Sequence, residues 1–248
     1  MALKPTEPSC WDIELFLSQN KKMFDHRYAN VGKRVMLHKQ IEVVPPSVSL
    51  ENEDVINWDK VLPCLEKIIR TAYKSEDKIT DISYKELLER IVHHYHHEST
   101  IEHVAVFTFR IVCDRGISHE LVRHRIASFT QESTRYVNYG KKGGKVVFPV
   151  HLLQAPKEEI EYWYRGCQQE FLLYHNALEE LKWTPQQARG FLPHFAKTEV
   201  IMTMNFRSLR NLFKLRKNKA AHPDMQIIAN EILMVVKEKI DIIFKDIK

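Results

Sequence analysis

The chain of 248 residues is long enough for one large domain or two small ones. Its 37 Lys and Arg residues exceed its 32 Asp and Glu residues by five, and this mildly basic balance fits ligands that carry phosphate but only weakly suggests nucleic acid. No apolar run is long enough to span a membrane, no secretory signal is visible, and the four scattered cysteines form no CxxC pair, so we expect a cytoplasmic protein with reduced thiols.

The first third of the chain is predicted to contain an extension, a short strand and a helix. Residues 1–35 are predicted as an N-terminal extension of unknown role, with a short helix, and residues 36–248 as one domain. In residues 36–46, the letters IEVV precede two prolines, which predicts a short strand that the prolines end. Apolar spacing predicts a helix over residues 59–72, with Pro63 near its start because proline lacks the N–H that a helix interior needs.

Residues 83–150 are predicted to alternate between helices and strands. Ser83 and Glu86 have the spacing of a capping box, a pattern that often starts a helix. Apolar residues follow at helical spacing, whereas in VAVFTFRIV the residues alternate as they do in a strand. The predicted elements are a helix at 83–96, a strand at 103–112, a helix at about 115–125 and a strand at 145–150.

The chain after residue 157 is predicted to be mostly helical. Thr184 and Pro185 have the residue types of an N-cap and a first helical position. The predicted helices are 158–183, one from Pro185, 205–216 and one from Pro223 nearly to the end. Together these elements predict an α+β fold, with a small sheet in the first 150 residues packed with long helices and a helical C-terminal half.

Six positive charges and no acid fall within residues 205–219. Helical spacing places three of them, Arg207, Arg210 and Lys214, on one side, where a solvated basic face is the simplest explanation. Arg216 instead falls among the leucines of the apolar side. Because an unpaired buried charge is very unfavourable, Arg216 requires either an anionic or carbonyl-rich ligand or an internal ion pair, and the spacing does not separate the two.

Five histidines and two glutamates lie within residues 93–103, a composition that raises the question of a metal site. His93 and His97 could share one face of a helix, as zinc ligands do. The spacing differs from the HExxH motif, however, and the predicted helix ends near His96. We therefore expect a polar turn of hydrogen-bonding histidines and no metal.

Residues 123–136, RHRIASFTQESTRY, are dense in hydrogen-bond donors. The consecutive Arg-His-Arg at 123–125 cannot share one face of a helix end, so its members must serve different partners. In an extended segment, Gln131, Ser133 and Arg135 would point the same way and could hold a phosphate. A covalent role for Ser133 is not supported, because no triad-type motif surrounds it.

RHRIASFTQES resembles the signature of flavin-dependent thymidylate synthases, in which Arg-His-Arg is followed after seven residues by Ser. The segments HHESTIEHVAVFTFRI, RGFLPHF and NFRSLRNLFKLR are similar to three further parts of that family and occur in the same order. The resemblance covers roughly residues 66–240, and residues 1–35 match nothing in it.

The resemblance implies an enzyme that converts dUMP to dTMP, with 5,10-methylenetetrahydrofolate as the one-carbon donor. Tightly bound FAD would carry the hydride, and NADPH would reduce it. The family implies a homotetramer of single-domain subunits with each active site assembled from several chains, and neither nucleic acid nor membrane is an expected partner. Classical thymidylate synthases attack the pyrimidine with a cysteine, whereas no cysteine of this chain lies beside the donor clusters.

The resemblance also implies which residues bind the ligands. Arg216 would be catalytic by binding the uracil and favouring its ionisation at N3, while Ser133 and Arg135 would hold the phosphate. The residues implied to bind dUMP are Glu120, Arg123, Gln131, Glu132, Ser133, Thr134, Arg135, Arg189 and Arg216. The residues implied to bind FAD are His97, Ser99, Arg123, His124, Arg125, Gln131, Asn205, Arg207 and Asn211.

Three positions depart from the family pattern. Thr130 and Gln131 stand where many members have Asn-Glu, which puts a role as a base at position 131 in doubt because an amide carries no charge. Glu120 stands where some members have glutamine. Its carboxylate would repel a nucleotide phosphate unless it pairs with Arg123 or reaches a sugar hydroxyl.

Three alternative functions stay open on the sequence. A non-catalytic relative would bind FAD or nucleotide without turnover, although the intact Arg-His-Arg, Ser133, Arg135 and Arg216 argue against it. A basic nucleic-acid-binding protein would show an affinity that falls steeply with salt, but Arg216 lies on an apolar side rather than an exposed one. A histidine-rich metallohydrolase would be identified by metal analysis.

Overall fold

The computed structural model describes Ser18 and residues 41–248, so the predicted N-terminal helix lies outside the described residues. The strands are β1 (Glu42–Val44), β2 (Ser47–Leu50), β3 (Val106–Asp114), β4 (Ser128–Gln131), β5 (Lys145–Val147) and β6 (Lys197–Asn205). The α-helices are α1 (Trp58–Tyr73), α2 (Ser83–Leu88), α3 (Arg115–Leu121), α4 (Tyr139–Lys142), α5 (Lys157–Glu179), α6 (Pro185–Ala188), α7 (Phe206–Arg216) and α8 (Pro223–Phe244). None of the described helices is long and apolar enough to cross a membrane.

The described residues divide into two compact units. The first unit contains residues 41–47, 112–121 and 131–200. The second unit contains residues 48–111, 122–130 and 201–248. Each unit has its own set of buried side chains.

The core of the first unit is built on the long helix α5. Trp163, Tyr164 and neighbouring apolar residues of this helix pack with Val146 of β5 and with Phe148. The Tyr164 hydroxyl donates to the carbonyl oxygen of Ile41 at 3.0 Å, which satisfies a buried polar group. β1 and β5 pair in parallel, and the strands predicted at 36–46 and 145–150 are therefore confirmed as short elements.

The core of the second unit contains a chain of aromatic rings. Trp58 of α1 stacks on Phe107 of β3 with ring centroids 4.6 Å apart. Phe107 contacts Phe206 at the start of α7, and Phe206 contacts Phe244 at the end of α8, at 5.6 and 6.2 Å. Large rings of this kind contribute strongly to packing, and here they join a strand to three helices. The three helices and the strand were all predicted, with ends that differ by up to three residues.

Strand β6 corrects the prediction of a helical C-terminal half. Its residues alternate strictly, with Thr198, Val200, Met202 and Met204 buried and their neighbours partly exposed. β6 is a central strand of a four-stranded sheet with the order β2-β3-β6-β4. The sheet therefore draws on the second half of the chain as well as the first 150 residues.

The capping box predicted at Ser83 is wrong. Ile82 is the N-cap of α2, and Ser83 is its first helical residue. The Ser83 hydroxyl donates to the buried Glu66 carboxylate at 2.6 Å and accepts from the Thr80 backbone N–H at 2.8 Å. The helix predicted at 83–96 continues past α2 as a π-helical segment, Glu89–His94.

Pro63 and Thr184 were also predicted to mark the starts of helices. Pro63 lies inside α1, five residues after Trp58 and thus beyond the first turn where it was expected. Thr184 is the N-cap of α6 as predicted, and the Gln187 side chain accepts from its backbone N–H at 2.9 Å. The helix that follows is short and continues as the 3₁₀ turn Arg189–Phe191.

Candidate functional site

The segment after β4 turns instead of staying extended. The backbone N–H groups of Tyr136 and Val137 both donate to the Ser133 carbonyl oxygen, at 3.2 and 2.9 Å. The backbone N–H of Arg135 donates to the Ser133 hydroxyl at 3.2 Å. The alternation predicted for Gln131, Ser133 and Arg135 is therefore wrong, because a turn at Ser133 replaces the extended chain that the alternation requires.

Gln131 is held by two buried hydroxyl groups of the first unit. Its Nε2 donates to the Ser118 hydroxyl at 2.8 Å and to the Thr198 hydroxyl at 3.3 Å. The Ser118 hydroxyl proton already goes to the Arg115 carbonyl oxygen at 2.8 Å, so Ser118 Oγ must accept from Gln131. The amide orientation is thereby fixed, and position 131 presents a neutral carbonyl oxygen.

The carboxylate of Glu132 is bound by other groups of the same unit. Oε1 accepts from the Tyr139 hydroxyl at 3.0 Å, and Oε2 accepts from Lys197 Nζ at 3.2 Å. The pKa of Tyr139 is raised above its usual range, mainly by burial and secondly by the charge of Glu132. The phenol therefore stays protonated and donates its hydrogen bond to Glu132. Direct contact of Glu132 with dUMP stays a prediction, and its side chain already has two partners.

Arg135 is exposed and oriented by one neighbour. Its Nε donates to Gln186 Oε1 at 2.8 Å, and its guanidinium lies 5.3 Å from the centre of the Tyr136 ring. Among residues 41–248, neither Nη atom of Arg135 has a hydrogen-bond partner. A guanidinium presented in this way can form a bidentate contact with a phosphate.

Three other residues predicted to bind dUMP, Glu120, Thr134 and Arg189, also lie in the first unit. Thr134 and Glu120 are half-buried, and Arg189 is exposed at the first position of its 3₁₀ turn. Glu120 lies in α3. The same helix contains Ser118, which accepts a hydrogen bond from Gln131.

In the second unit, Arg216 is half-buried at the end of α7, as its place on the apolar side predicted. Its Nε donates to Nε2 of His124 at 2.8 Å. Burial, and next the charge of Arg216, lower the pKa of His124 to about 4, so the imidazole is neutral at neutral pH. Because His124 Nε2 accepts this hydrogen bond, its proton is on Nδ1.

On the side of α7 predicted to be solvated, Arg207 and Lys214 are exposed, whereas Arg210 is not. Arg207 is exposed but pairs with Glu102. Arg210 has a side chain that is only 10% exposed, and it makes two hydrogen bonds of 2.7 Å to the Asp246 carboxylate and one of 3.0 Å to Glu98. The hydrogen bonds to Asp246 are the main cause of a raised Arg210 pKa. Arg210 therefore fastens α7 to the chain after α8.

Asn205 begins α7 as its N-cap. Its Oδ1 accepts from the Ser208 backbone N–H at 2.8 Å. A cap of this kind satisfies one of the N–H groups that a helix start leaves without a helical partner. Oδ1 of Asn205 is used by the cap. The contact with FAD that the family resemblance implies would therefore be a hydrogen bond donated by Nδ2.

Replacing Asn205 with alanine is expected to lower the free energy of unfolding by about 1 kcal/mol, because the Ser208 N–H loses its acceptor. For a chain of this size, such a loss corresponds to a fall of about 2–4 °C in melting temperature. Asn205→Asp is the matched control, since its carboxylate can accept the same hydrogen bond. Equal thermal unfolding of wild type and Asn205→Ala would contradict the capping role.

Most of the remaining residues predicted to bind FAD are exposed. They include Ser99, Arg123 and Asn211. Arg125 Nη1 donates to the carbonyl oxygens of Val122 and His124, both at 2.8 Å. These local hydrogen bonds hold the backbone that follows α3. His97 is exposed, and its Nδ1 lies 3.4 Å from the Tyr73 hydroxyl. These side chains keep donor atoms accessible to an anionic ligand.

The histidines of residues 93–103 lie at the end of the π-helical segment and around the 3₁₀ segment Glu98–Glu102. His93 Nε2 lies 2.8 Å from the Ile242 carbonyl oxygen, and its Nδ1 lies 3.4 Å from the Asp246 carboxylate. Among the described residues, no group of three or more His, Cys, Asp or Glu side chains could hold a metal ion. His93 and His97 contact different groups.

Four residues of the first unit that surround the predicted positions were not found from the sequence. They are Ser118, Tyr139, Lys197 and Thr198. The buried alternation that begins at Thr198 is a signal that could have identified the strand. No local pattern indicates that Lys197 meets Glu132, because the two lie 65 residues apart.

Comparison with known proteins gives consistent matches. The family profile described as "Thymidylate synthase complementing protein" matches residues 56–240. The flavin-dependent thymidylate synthase of Pyrococcus furiosus is 34% identical over 171 residues, which cover 68% of this chain and 69% of the relative. The protein of the same name from Geobacter sulfurreducens is 37% identical over 153 residues, which cover 60% of this chain and 64% of the relative.

Solved structures are also similar. The crystal structure of thymidylate synthase X from Helicobacter pylori with FAD and dUMP has a TM-score of 0.65 at 26% identity and covers 81% of this chain and 98% of that chain. The UMP/dUMP methylase PolB from Streptomyces cacaoi, bound with 5-Br dUMP, has a TM-score of 0.68 at 19% identity and covers 83% and 96%. The second similarity concerns the fold alone, and both agree with the mixed α and β architecture.

Proposed function

Because the chain belongs to the family of flavin-dependent thymidylate synthases, we propose that it catalyses the reductive methylation of dUMP to dTMP. The one-carbon donor is 5,10-methylenetetrahydrofolate, and NADPH supplies the reducing equivalents through FAD. The observation that carries the proposal is the turn at Ser133 and Arg135, which lies within the family signature and presents a guanidinium with two uncommitted nitrogens among residues 41–248.

The phosphate of dUMP is held by Ser133 and Arg135. A hydroxyl and a guanidinium supply the short, charge-assisted hydrogen bonds that a phosphate dianion prefers. Gln186 holds Nε of Arg135 at 2.8 Å, so less side-chain freedom is lost when the guanidinium binds its ligand. Gln131 offers a carbonyl oxygen of fixed orientation, which can accept from a sugar hydroxyl or a ring N–H without adding negative charge.

Arg216 binds the uracil ring and stabilises the negative charge that ionisation at N3 places on it. The hydrogen bond from its Nε to neutral His124 fixes the plane of the guanidinium. Since His124 carries no charge near neutral pH, it does not compete with the guanidinium for the anionic ring.

FAD fits the donor set of the second unit. Its pyrophosphate requires cationic and hydroxyl donors, and Arg123, Arg207 and Ser99 are exposed there. Asn211 is exposed on the same helix as Arg207 and can donate an amide N–H. FAD, when bound, supplies the hydride for reduction of the transferred one-carbon group. The protein binds it, orients it and limits access of water.

The subunit assembles into a homotetramer, and the folate and NADPH act on the same flavin. The support for assembly is the family resemblance, in which several chains contribute to each active site. Exposed apolar side chains such as Tyr162, Leu173 and Leu181 on and after α5 agree with surfaces that an assembly would cover.

The visible absorption spectrum of the purified protein tests the proposal. We expect a flavin spectrum from the protein alone or after FAD is added, and a shift of that spectrum when dUMP follows. The shift is expected because the nucleotide and the flavin react with each other and must therefore be in contact. Reduced flavin should then be oxidised in a manner that depends on dUMP and the folate.

Two outcomes would contradict the proposal in different ways. No flavin spectrum, with FAD supplied to folded protein, would remove the flavoenzyme assignment. Bound FAD and dUMP without oxidation of the reduced flavin would identify a non-catalytic relative instead. Heat-denatured protein treated in the same way is the control for free FAD in the sample.

A further inference from the structure

Glu132 is held at each of its polar groups by the first unit. Its two carboxylate oxygens accept from Tyr139 and Lys197, at 3.0 and 3.2 Å. Its backbone N–H donates to the Glu199 carbonyl oxygen at 2.9 Å, and its own carbonyl oxygen lies 3.5 Å from Nη1 of Arg115. Three elements of the unit, α3, α4 and β6, thus fix a single residue.

The charge of Glu132 is matched within this arrangement. Its side chain is 19% exposed and that of Lys197 is 15% exposed, so the ion pair is largely removed from water. A pair at this depth is strongly unfavourable to break, because one charge is then left without its partner. Lys197 also pairs with Glu199, which keeps its ammonium in place on β6.

Glu132 lies directly before the turn that places the two proposed phosphate ligands, Ser133 and Arg135. Ser133 follows it directly, and the turn that places Arg135 is closed by hydrogen bonds to the carbonyl oxygen and hydroxyl of Ser133. Any movement of the Glu132 peptide is therefore transmitted to both proposed phosphate ligands. Binding groups must be held to within a fraction of an ångström for full effect.

We propose that Glu132 is a positioning residue, which fixes the turn at Ser133 and Arg135 through Lys197 and Tyr139 and does not itself touch the nucleotide. The proposal rests on the proposed function, in which these two residues hold the dUMP phosphate. It makes the ion pair with Lys197 a determinant of affinity for the phosphate and not for the base or sugar.

The test compares dUMP with deoxyuridine, which lacks the phosphate, in flavin difference titrations of the FAD-loaded protein. Glu132→Gln should raise the Kd of dUMP by about tenfold or more, because a misplaced turn weakens both phosphate contacts. The Kd of deoxyuridine should change less than about twofold. Lys197→Met should have the same selective effect, and the double variant should lose little more than either single variant.

Control variants separate positioning from general damage. Glu51→Gln removes a carboxylate that pairs with Arg110 on the second unit, and it should leave the affinities for dUMP and deoxyuridine unchanged. Tyr139→Phe removes only the neutral hydrogen bond to Glu132 and should have a smaller effect than Glu132→Gln. Thermal unfolding of each variant shows whether it is folded at the temperature of the titration.

The outcomes distinguish this inference from the proposed function. Tighter dUMP binding by Glu132→Gln would show a carboxylate that repels the phosphate directly, and it would overturn positioning. Equal weakening of dUMP and deoxyuridine would also overturn it, as would unchanged dUMP affinity in a protein whose Arg135→Ala variant loses dUMP. If wild-type protein itself binds no dUMP, the proposed function fails and the inference fails with it.

Discussion

Replacing Arg216 with alanine is expected to lower turnover by about 100- to 1000-fold while leaving FAD bound. The guanidinium is proposed to stabilise negative charge on the uracil, and loss of one such preorganised donor has an effect of this size. Its orientation depends on the 2.8 Å hydrogen bond from Nε to His124, so alanine removes both the charge and its alignment. The measurement is the rate of dTMP formation at saturating substrates, together with flavin absorbance per subunit.

Two variants of α7 serve as controls for Arg216→Ala. Lys214→Ala removes an exposed cation from the same helix and should leave turnover near wild type. Arg216→Lys keeps the charge but loses the planar fork, and it should fall between wild type and alanine. Turnover near wild type in Arg216→Ala would remove the catalytic role, and loss of FAD would move Arg216 to the cofactor site.

His124 gives a second, independent readout of the same substitution. Its pKa is lowered to about 4, first by burial and then by the charge of Arg216. Removing Arg216 eliminates the second cause and also lets more water reach the imidazole, so the pKa should rise toward the ordinary value of histidine. An NMR titration of the imidazole measures this change. An unchanged pKa would mean that the two side chains do not interact in solution.

The elements that could be predicted from the sequence are those whose pattern is local and long. α5, α7 and α8 each contain two or more turns of apolar spacing, and α8 begins at Pro223 as expected. β6 escaped prediction although its buried residues alternate strictly, because Val200, Ile201 and Met202 are three apolar residues in a row and hide the alternation in the sequence.

The candidate site could be predicted only in part, for a different reason. Helical spacing placed Arg216 on the apolar side of α7, and the structure has it half-buried there. Its partner His124 lies 92 residues earlier, and no spacing rule reaches so far. The turn at Ser133 was missed because the letters STRY contain neither glycine nor proline, the residues that most clearly mark a turn.

Arg135→Ala is expected to weaken dUMP binding by about 1.5–3 kcal/mol, the usual contribution of a hydrogen bond to a charged group. This loss corresponds to a rise in Kd of about 10- to 150-fold. The guanidinium is exposed, and among residues 41–248 it makes one hydrogen bond, to Gln186, so the substitution removes little from the folded protein itself. The affinity for deoxyuridine should stay unchanged, because the nucleoside has no phosphate to lose.

The matched control for Arg135 is Arg165→Ala, which removes another exposed arginine of the first unit from helix α5. Its dUMP affinity should equal that of wild type, since a change in net charge alone acts weakly in physiological salt. Gln186→Ala should lie between the two, because it frees Nε of Arg135 without removing the guanidinium. If Arg165→Ala weakened dUMP as much as Arg135→Ala, the nucleotide would be responding to the overall positive charge. The turn at Ser133 and Arg135 would then not be the phosphate site.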